Sequence, residues 1–164
     1  MAEGPELDAA RGVGGGRDMS PDELFNTGVA FLGKGKPGEA LAAFRAALAK
    51  REGNPRYMSY AGYALALAGG KTKEAVKLCE SALRVEFFQP EQYLNLGRVY
   101  LIAGNRRKAH QIFWKGHSID PSDGALLAEI EKLGIRKPPV LPFLKRGNAL
   151  NRIIGKTFYM LRLR

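Results

Sequence analysis

Large apolar residues recur through the middle of the chain at separations of three and four, with small residues at fixed places among them. The pattern is strongest between Pro90 and Asp123. There Tyr93, Leu96 and Tyr100 fall on one face of a first helix, and Gly97 stands among them, where a missing side chain lets a second helix approach closely. Gly104 and Asn105 give a stop and a restart. Ala109 then offers a second small contact point, Phe113 a plug between the helices, and Pro121 ends the unit. Neither helix of such a pair can bury its apolar face without neighbours, so the pattern requires repetition.

Two fainter copies precede it. Ser20-Pro21-Asp22-Glu23 reads as a capping box with proline at the first helical position. Leu24, Gly28 and Phe31 follow as the first helix, with Thr27 where a leucine is expected, and Ala40, Phe44 and Ala47 as the second; Gly33, Gly35 and Pro37 make the turn. Pro55 opens the next copy 34 residues after Pro21, with Met58, Ala61, Gly62 and Leu65, then Ala75, Cys79 and Ala82. Its turn, Gly69-Gly70-Lys71-Thr72, carries one extra residue, so Pro90 follows after 35. The units are predicted at 20–54, 55–89 and 90–123. A single helix within 121–134, with Leu126, Ile130 and Leu133 on one face and Gly134 as its stop, is predicted to cap the last exposed apolar face and close a domain over 20–134.

The flanks differ in character. Residues 1–19 are polar and glycine-rich without sustained periodicity and read as a disordered arm. In 135–164, Pro138, Pro139 and Pro142 favour an extended run with Val140, Leu141, Phe143 and Leu144 as apolar contacts. Asn148 is placed to cap a last helix with Leu150, Ile153, Ile154, Phe158 and Leu161 on one stripe. Such a helix needs a surface on which to dock.

The spacing aromatic-x2-Leu-Gly-x2-Tyr at Tyr93, Leu96, Gly97 and Tyr100, followed by Ala109, Phe113 and Pro121 in an Ala-x3-Phe…Pro frame, resembles the tetratricopeptide repeat. The resemblance covers residues 20 to about 123. It implies an all-α, right-handed superhelix of three repeats, and an adaptor or scaffold that holds a partner without chemistry. In that family the concave surface is lined mainly by the second, fifth, ninth and twelfth positions of the first helix of each repeat and binds peptides or helices. Those positions include Phe25, Val29 and Leu32, then Ser59, Tyr63 and Ala66, then Leu94, Arg98 and Leu101, a largely apolar lining. The family's two-carboxylate clamp of Lys, Asn, Asn, Lys and Arg would fall on Phe25, Val29, Tyr60, Glu91 and Asn95, and none matches. The resemblance therefore implies recognition of an apolar or amphipathic segment rather than an acidic chaperone tail. Some secretion-substrate chaperones also have three such repeats. The ending is similar to that of some uncharacterised bacterial repeat proteins, which implies a bacterial source.

Charge adds a second element. The chain has 164 residues and a formal net charge of +10, but residues 1–131 hold 17 Lys and Arg against all 16 Asp and Glu. The acid-free remainder carries the excess, including Arg136, Lys137, Lys145, Arg146, Arg152, Lys156 and Arg162. Three readings of this tail stand: it docks on the repeats as an intramolecular cap, it lies on anionic lipid, or it contacts nucleic-acid phosphates. No basic-apolar leader opens the chain and no window of 18 or more apolar residues occurs, so a soluble, cytoplasmic protein is expected.

Candidate chemistry is sparse. Gly70-Lys71-Thr72 and Gly155-Lys156-Thr157 end like phosphate loops, but the required earlier glycine is Leu65 in one and Leu150 in the other. His110 and His117 share a helix face beside Trp114 without a carboxylate or cysteine partner at ligand spacing, which reads as packing rather than a metal site. Cys79, the one cysteine, stands where the repeat wants a phenylalanine and reads as a small buried hydrophobe. No catalytic set stands out, and no cofactor is expected.

Overall fold

The computed structural model describes residues 19–69 and 71–134, and within them the chain is all helix. Seven helices follow one another: α1 (Pro21–Gly33), α2 (Pro37–Lys50), α3 (Pro55–Leu67), α4 (Thr72–Val85), α5 (Pro90–Ile102), α6 (Arg106–Ile119) and α7 (Gly124–Lys132). The expected arm and basic tail lie outside the described residues, apart from the junction at Met19 and Gly134.

Local chemistry explains where each helix begins. Ser20 Oγ accepts from Glu23 N at 3.2 Å while Glu23 Oε2 accepts from Ser20 N at 2.7 Å, the reciprocal box expected at α1. Asn54, Asn105 and Asp123 cap α3, α6 and α7 with side-chain oxygens, and proline opens α1, α2, α3 and α5. The first helices end on residues such as Gly104, whose φ of 75° belongs to the left-handed region that favours glycine.

The helices pack as three hairpins, α1 with α2, α3 with α4 and α5 with α6, stacked so that α2 meets α3, α4 meets α5 and α6 meets α7. Close approach within each hairpin rests on one glycine. A Cβ on Gly28 would come 2.5 Å from the Phe44 ring, on Gly62 2.5 Å from Cys79 Sγ, and on Gly97 2.1 Å from the Phe113 ring. Leu24, Ala40, Phe44, Ala47 and Tyr57 form one buried cluster, and Ala75, Cys79, Leu96, Ala109, Phe113, Leu126 and Ile130 another, with Leu41 packed against both.

The same register accounts for the first and last of the described helices. The seventh residues of α3, α5 and α7 (Ala61, Leu96 and Ile130) are buried against the preceding hairpin. Thr27, at that place in α1, is only partly buried and turns its hydroxyl back to the Glu23 carbonyl at 2.8 Å, because no described hairpin precedes it. The eighth residue of α7 is Glu131, where the other first helices have glycine. Glu131 therefore does not offer α7 the close approach that α2, α4 and α6 make at the glycines of their partners, and α7 packs on α6 and α5.

Candidate functional site

The face lined by α1, α3 and α5 begins with an aromatic cluster. Phe25 stacks on Tyr57 at 5.1 Å between ring centroids and meets Tyr60 edge-on at 5.0 Å and Phe44 at 5.5 Å. The Arg56 guanidinium sits 4.6 Å over the Phe25 ring. Between α3 and α5 the contact is smaller and polar: Asn95 Nδ2 donates to Ser59 Oγ at 3.1 Å, with both residues buried. Small side chains there let α3 lie directly against α5, whereas α1 and α3 meet through the rings.

Charged side chains then link each repeat to the next. The Tyr57 hydroxyl donates to Asp22 Oδ1, and Arg51 lies 3.6 Å from Asp22 Oδ2. Arg56 Nε pairs with Glu91 Oε2 at 3.0 Å, and the Tyr60 hydroxyl donates to Glu91 Oε1. Arg98 Nε pairs with Glu129 Oε1 at 2.9 Å, and its guanidinium sits 5.7 Å over the Tyr63 ring. Burial, and then the Glu91 carboxylate, push the Tyr60 phenol well above the usual tyrosine range, so it remains a donor.

The nine residues expected to line the groove divide by burial. Phe25, Ser59, Ala66 and Leu94 are buried in the contacts between repeats. Val29 is exposed, and Leu32, Tyr63, Arg98 and Leu101 are half-buried on the same helix stripe. The open part of the surface is therefore narrower than the full set and lies along the ninth positions of the three helices and the twelfth of α1 and α5. Of the linking residues, Asp22 is named from the sequence only within the capping box and Glu91 only as a clamp position, and Arg56 is not named. Their signal was present, because the second position of α1, α3 and α5 alternates acid, base, acid.

The five clamp positions are occupied in a way that leaves no cation for a carboxylate. Phe25 is buried, Val29 is an exposed apolar side chain, Tyr60 and Glu91 bond each other, and Asn95 bonds Ser59. The basic groups nearby, Arg56 and Arg98, are each paired with a glutamate of the next repeat or of α7.

Elsewhere the side chains serve packing. Cys79 is fully buried with Sγ donating to the Ser59 carbonyl at 3.4 Å, and burial pushes its thiol up to about 12, which keeps it protonated and unreactive. Trp114 Nε1 donates to His110 Nε2 at 3.0 Å, and the indole meets the His117 ring edge-on at 5.4 Å, so the two histidines flank a tryptophan. No group of three metal-ligating side chains occurs among the described residues. No helix among them is long and apolar enough to cross a membrane. Thr72 of the first phosphate-loop-like stretch opens α4, and the second stretch and the tail residues Arg136, Lys137, Lys145, Arg146, Arg152, Lys156 and Arg162 lie outside the described residues.

No family model matches the chain. It is 32% identical over 112 residues, 68% of its length, to the TPR repeat-containing thioredoxin TTL4 of Arabidopsis thaliana, of which it spans 16%. Among solved structures it is similar to the first TPR domain of Spaghetti (RPAP3) bound to the HSP90 peptide SRMEEVD, with a TM-score of 0.59 at 17% identity over 70% of this chain and 92% of that one. It is also similar to the Sgt2 TPR domain of Aspergillus fumigatus, with a TM-score of 0.61 at 19% identity over 80% and 93%. The second TPR domain of human RPAP3, in complex with the HSP70 peptide SGPTIEEVD, gives 0.55 at 19% identity over 70% and 98%. The fold is that of tetratricopeptide-repeat structures.

Proposed function

We propose that this chain is a protein-interaction adaptor of the tetratricopeptide-repeat type, whose α1–α3–α5 face takes an apolar or amphipathic segment of a partner protein. The observation that carries this reading is the internal pairing of the charges on that face, with Arg56 on Glu91 and Arg98 on Glu129. Beside them Val29, Leu32, Tyr63 and Leu101 offer apolar surface. A carboxylate brought to this face would meet Glu91 and find no free guanidinium, whereas an apolar side chain would bury against the stripe. Two related folds hold acidic chaperone peptides, so the general role of holding a peptide is supported by likeness and the choice of peptide by the side chains here.

Selection of random dodecapeptides on the immobilised full chain tests this. Enriched sequences are expected to be rich in Leu, Phe, Ile or Val at helical or alternating spacing, without enrichment of a C-terminal acid. Leu101→Glu is expected to weaken the selected peptides by at least about tenfold, the loss of one buried aliphatic contact plus a buried charge. Enrichment of acidic C-terminal sequences would overturn the reading.

A second reading rests on the acid-free stretch 132–164, which holds nine Lys and Arg residues and suits anionic lipid or nucleic acid. Deletion of residues 135–164 separates the two: a tail-driven binder loses affinity for anionic vesicles or for a DNA duplex while the dodecapeptides still bind.

A further inference from the structure

The connection between α4 and α5 departs from the other links between repeats. Residues 51–54 and 120–123 are Arg-Glu-Gly-Asn and Asp-Pro-Ser-Asp, whereas 86–89 are Glu-Phe-Phe-Gln. Phe87 and Phe88 are 67% and 55% exposed, and Val85 before them is 63% exposed, the three most exposed large apolar side chains among the described residues. The loop is held in place. The Tyr93 hydroxyl donates to the Phe87 carbonyl at 2.6 Å, the two phenyl rings pack edge to face at 5.7 Å, and both oxygens of Glu86 accept side-chain amides, from Gln89 and Gln92, at 3.2 Å. The rings are thus presented by a braced turn.

Beside them lies an open cleft of about 730 Å³ whose lining includes Val85, Phe88, Arg56, Glu86, Glu91 and Gln92. Two carboxylates face one guanidinium there, and Arg56 is already paired with Glu91. No cation among the described residues lies within ion-pair distance of Glu86. Its carboxylate is balanced only by two neutral amides.

We propose that this edge is a second docking surface, adjoining the α1–α3–α5 face at Arg56 and Glu91, for a partner segment that presents apolar or aromatic side chains next to a lysine or arginine. Val85, Phe87 and Phe88 supply apolar area that the fold leaves in water, and the unpaired Glu86 selects a basic neighbour. Val85, Phe87 and Phe88 are not part of the apolar stripe of Val29, Leu32, Tyr63 and Leu101, although the cleft shares Arg56 and Glu91 with that face.

The test uses two capped heptapeptides, Lys-Leu-Phe-Lys-Leu-Phe-Lys and the same sequence with Glu for Lys, titrated into the full chain while backbone amide resonances are followed. The basic peptide is expected to give saturable shifts centred on residues 85–92. The acidic peptide is expected to bind at least about tenfold more weakly, and added salt to weaken the basic one. Glu86→Gln is expected to reduce affinity for the basic peptide roughly threefold or more, and Phe87→Ser with Phe88→Ser to abolish it. These side chains are exposed, so the double variant keeps its circular dichroism and melting temperature. Leu101→Glu leaves this binding unchanged, which separates failure here from failure of the concave-face reading. Equal binding of the two peptides, no shifts at residues 85–92, or unchanged affinity in the double variant would each overturn the proposal. So would concentration-dependent self-association that the double variant removes, since the patch would then be a contact between copies.

Discussion

Replacing Gly97 by alanine isolates the contact on which each hairpin depends. The added Cβ would stand 2.1, 2.5 and 2.7 Å from three atoms of the Phe113 ring, which is itself fully buried. Ordinary contact begins near 3.4 Å, so the ring must retreat by more than an ångström into a packed interior. Overpacking of this kind costs about 3 kcal/mol at its upper typical value. Alanine recovers about 1 kcal/mol of helix propensity over glycine. The net expectation is a loss of about 2 kcal/mol, seen as a fall in melting temperature of roughly 8–10 °C for a domain of this size. Gly38 in α2 provides the control, because a Cβ there meets nothing within 4 Å. Gly38→Ala is expected to stabilise by about 0.5–1 kcal/mol. Urea melts of both variants, with Gly97→Ala repeated in a Phe113→Leu background, read the difference. The smaller side chain should recover part of the Gly97→Ala loss through a coupling of about 1 kcal/mol. If Gly97→Ala stabilised the protein as Gly38→Ala does, the close approach of α5 and α6 would not be what fixes the repeat.

Stability should also fall at high pH. The unfolded chain releases the Cys79 proton near 9.0, while burial holds the folded thiol up to about 12. The unfolded state therefore binds fewer protons in that window, and unfolding becomes easier by roughly 1.4 kcal/mol per pH unit for this group. Tyr100, pushed up to about 12 by burial and then by its bond to Glu80, acts in the same direction from pH 10 upward. Urea melts between pH 8 and 11 should show the decline, with a shallower slope in Cys79→Ala; an unchanged slope in that variant would place the effect elsewhere. Arg98→Ala should cost about 1.5–3 kcal/mol, because Glu129, whose side chain is 10% exposed, keeps only Lys132 at 3.7 Å. Lys36→Ala, which removes an exposed pair with Glu39, should cost under about 0.5 kcal/mol in the same melts.

How much of this was legible in the sequence depended on whether a residue acts along its own helix or across to another. Gly28, Gly62 and Gly97 could be read directly, because the repeat period and the small-residue place in each helix are properties of one chain segment. The capping box at Ser20 and Glu23 was readable for the same reason. Burial of Phe25, Ser59 and Leu94 was not, since whether a fifth-position side chain faces open surface or the next repeat depends on the size of its partner. Between α1 and α3 that partner is a pair of tyrosines, and between α3 and α5 it is Asn95. The alternation of Asp22, Arg56 and Glu91 was visible in the letters, but the spacing of 35 that brings Arg56 to Glu91 acquires meaning only once the helices are stacked. Phe87 and Phe88 lay outside the pattern, in a connection whose composition carries no periodic constraint, and their exposure required the fold.

Titration of the full chain with the heptapeptide SRMEEVD, followed at the backbone amides, tests the central claim most directly. With Glu91 at the mouth of the face and both nearby arginines paired, the expected dissociation constant is weaker than about 1 mM, with no saturable shifts at Val29, Tyr60, Glu91 or Asn95. A dodecapeptide selected on the chain should instead saturate and shift Val29, Leu32, Tyr63 and Leu101. Micromolar binding of SRMEEVD at the five clamp positions would contradict a face built for apolar segments.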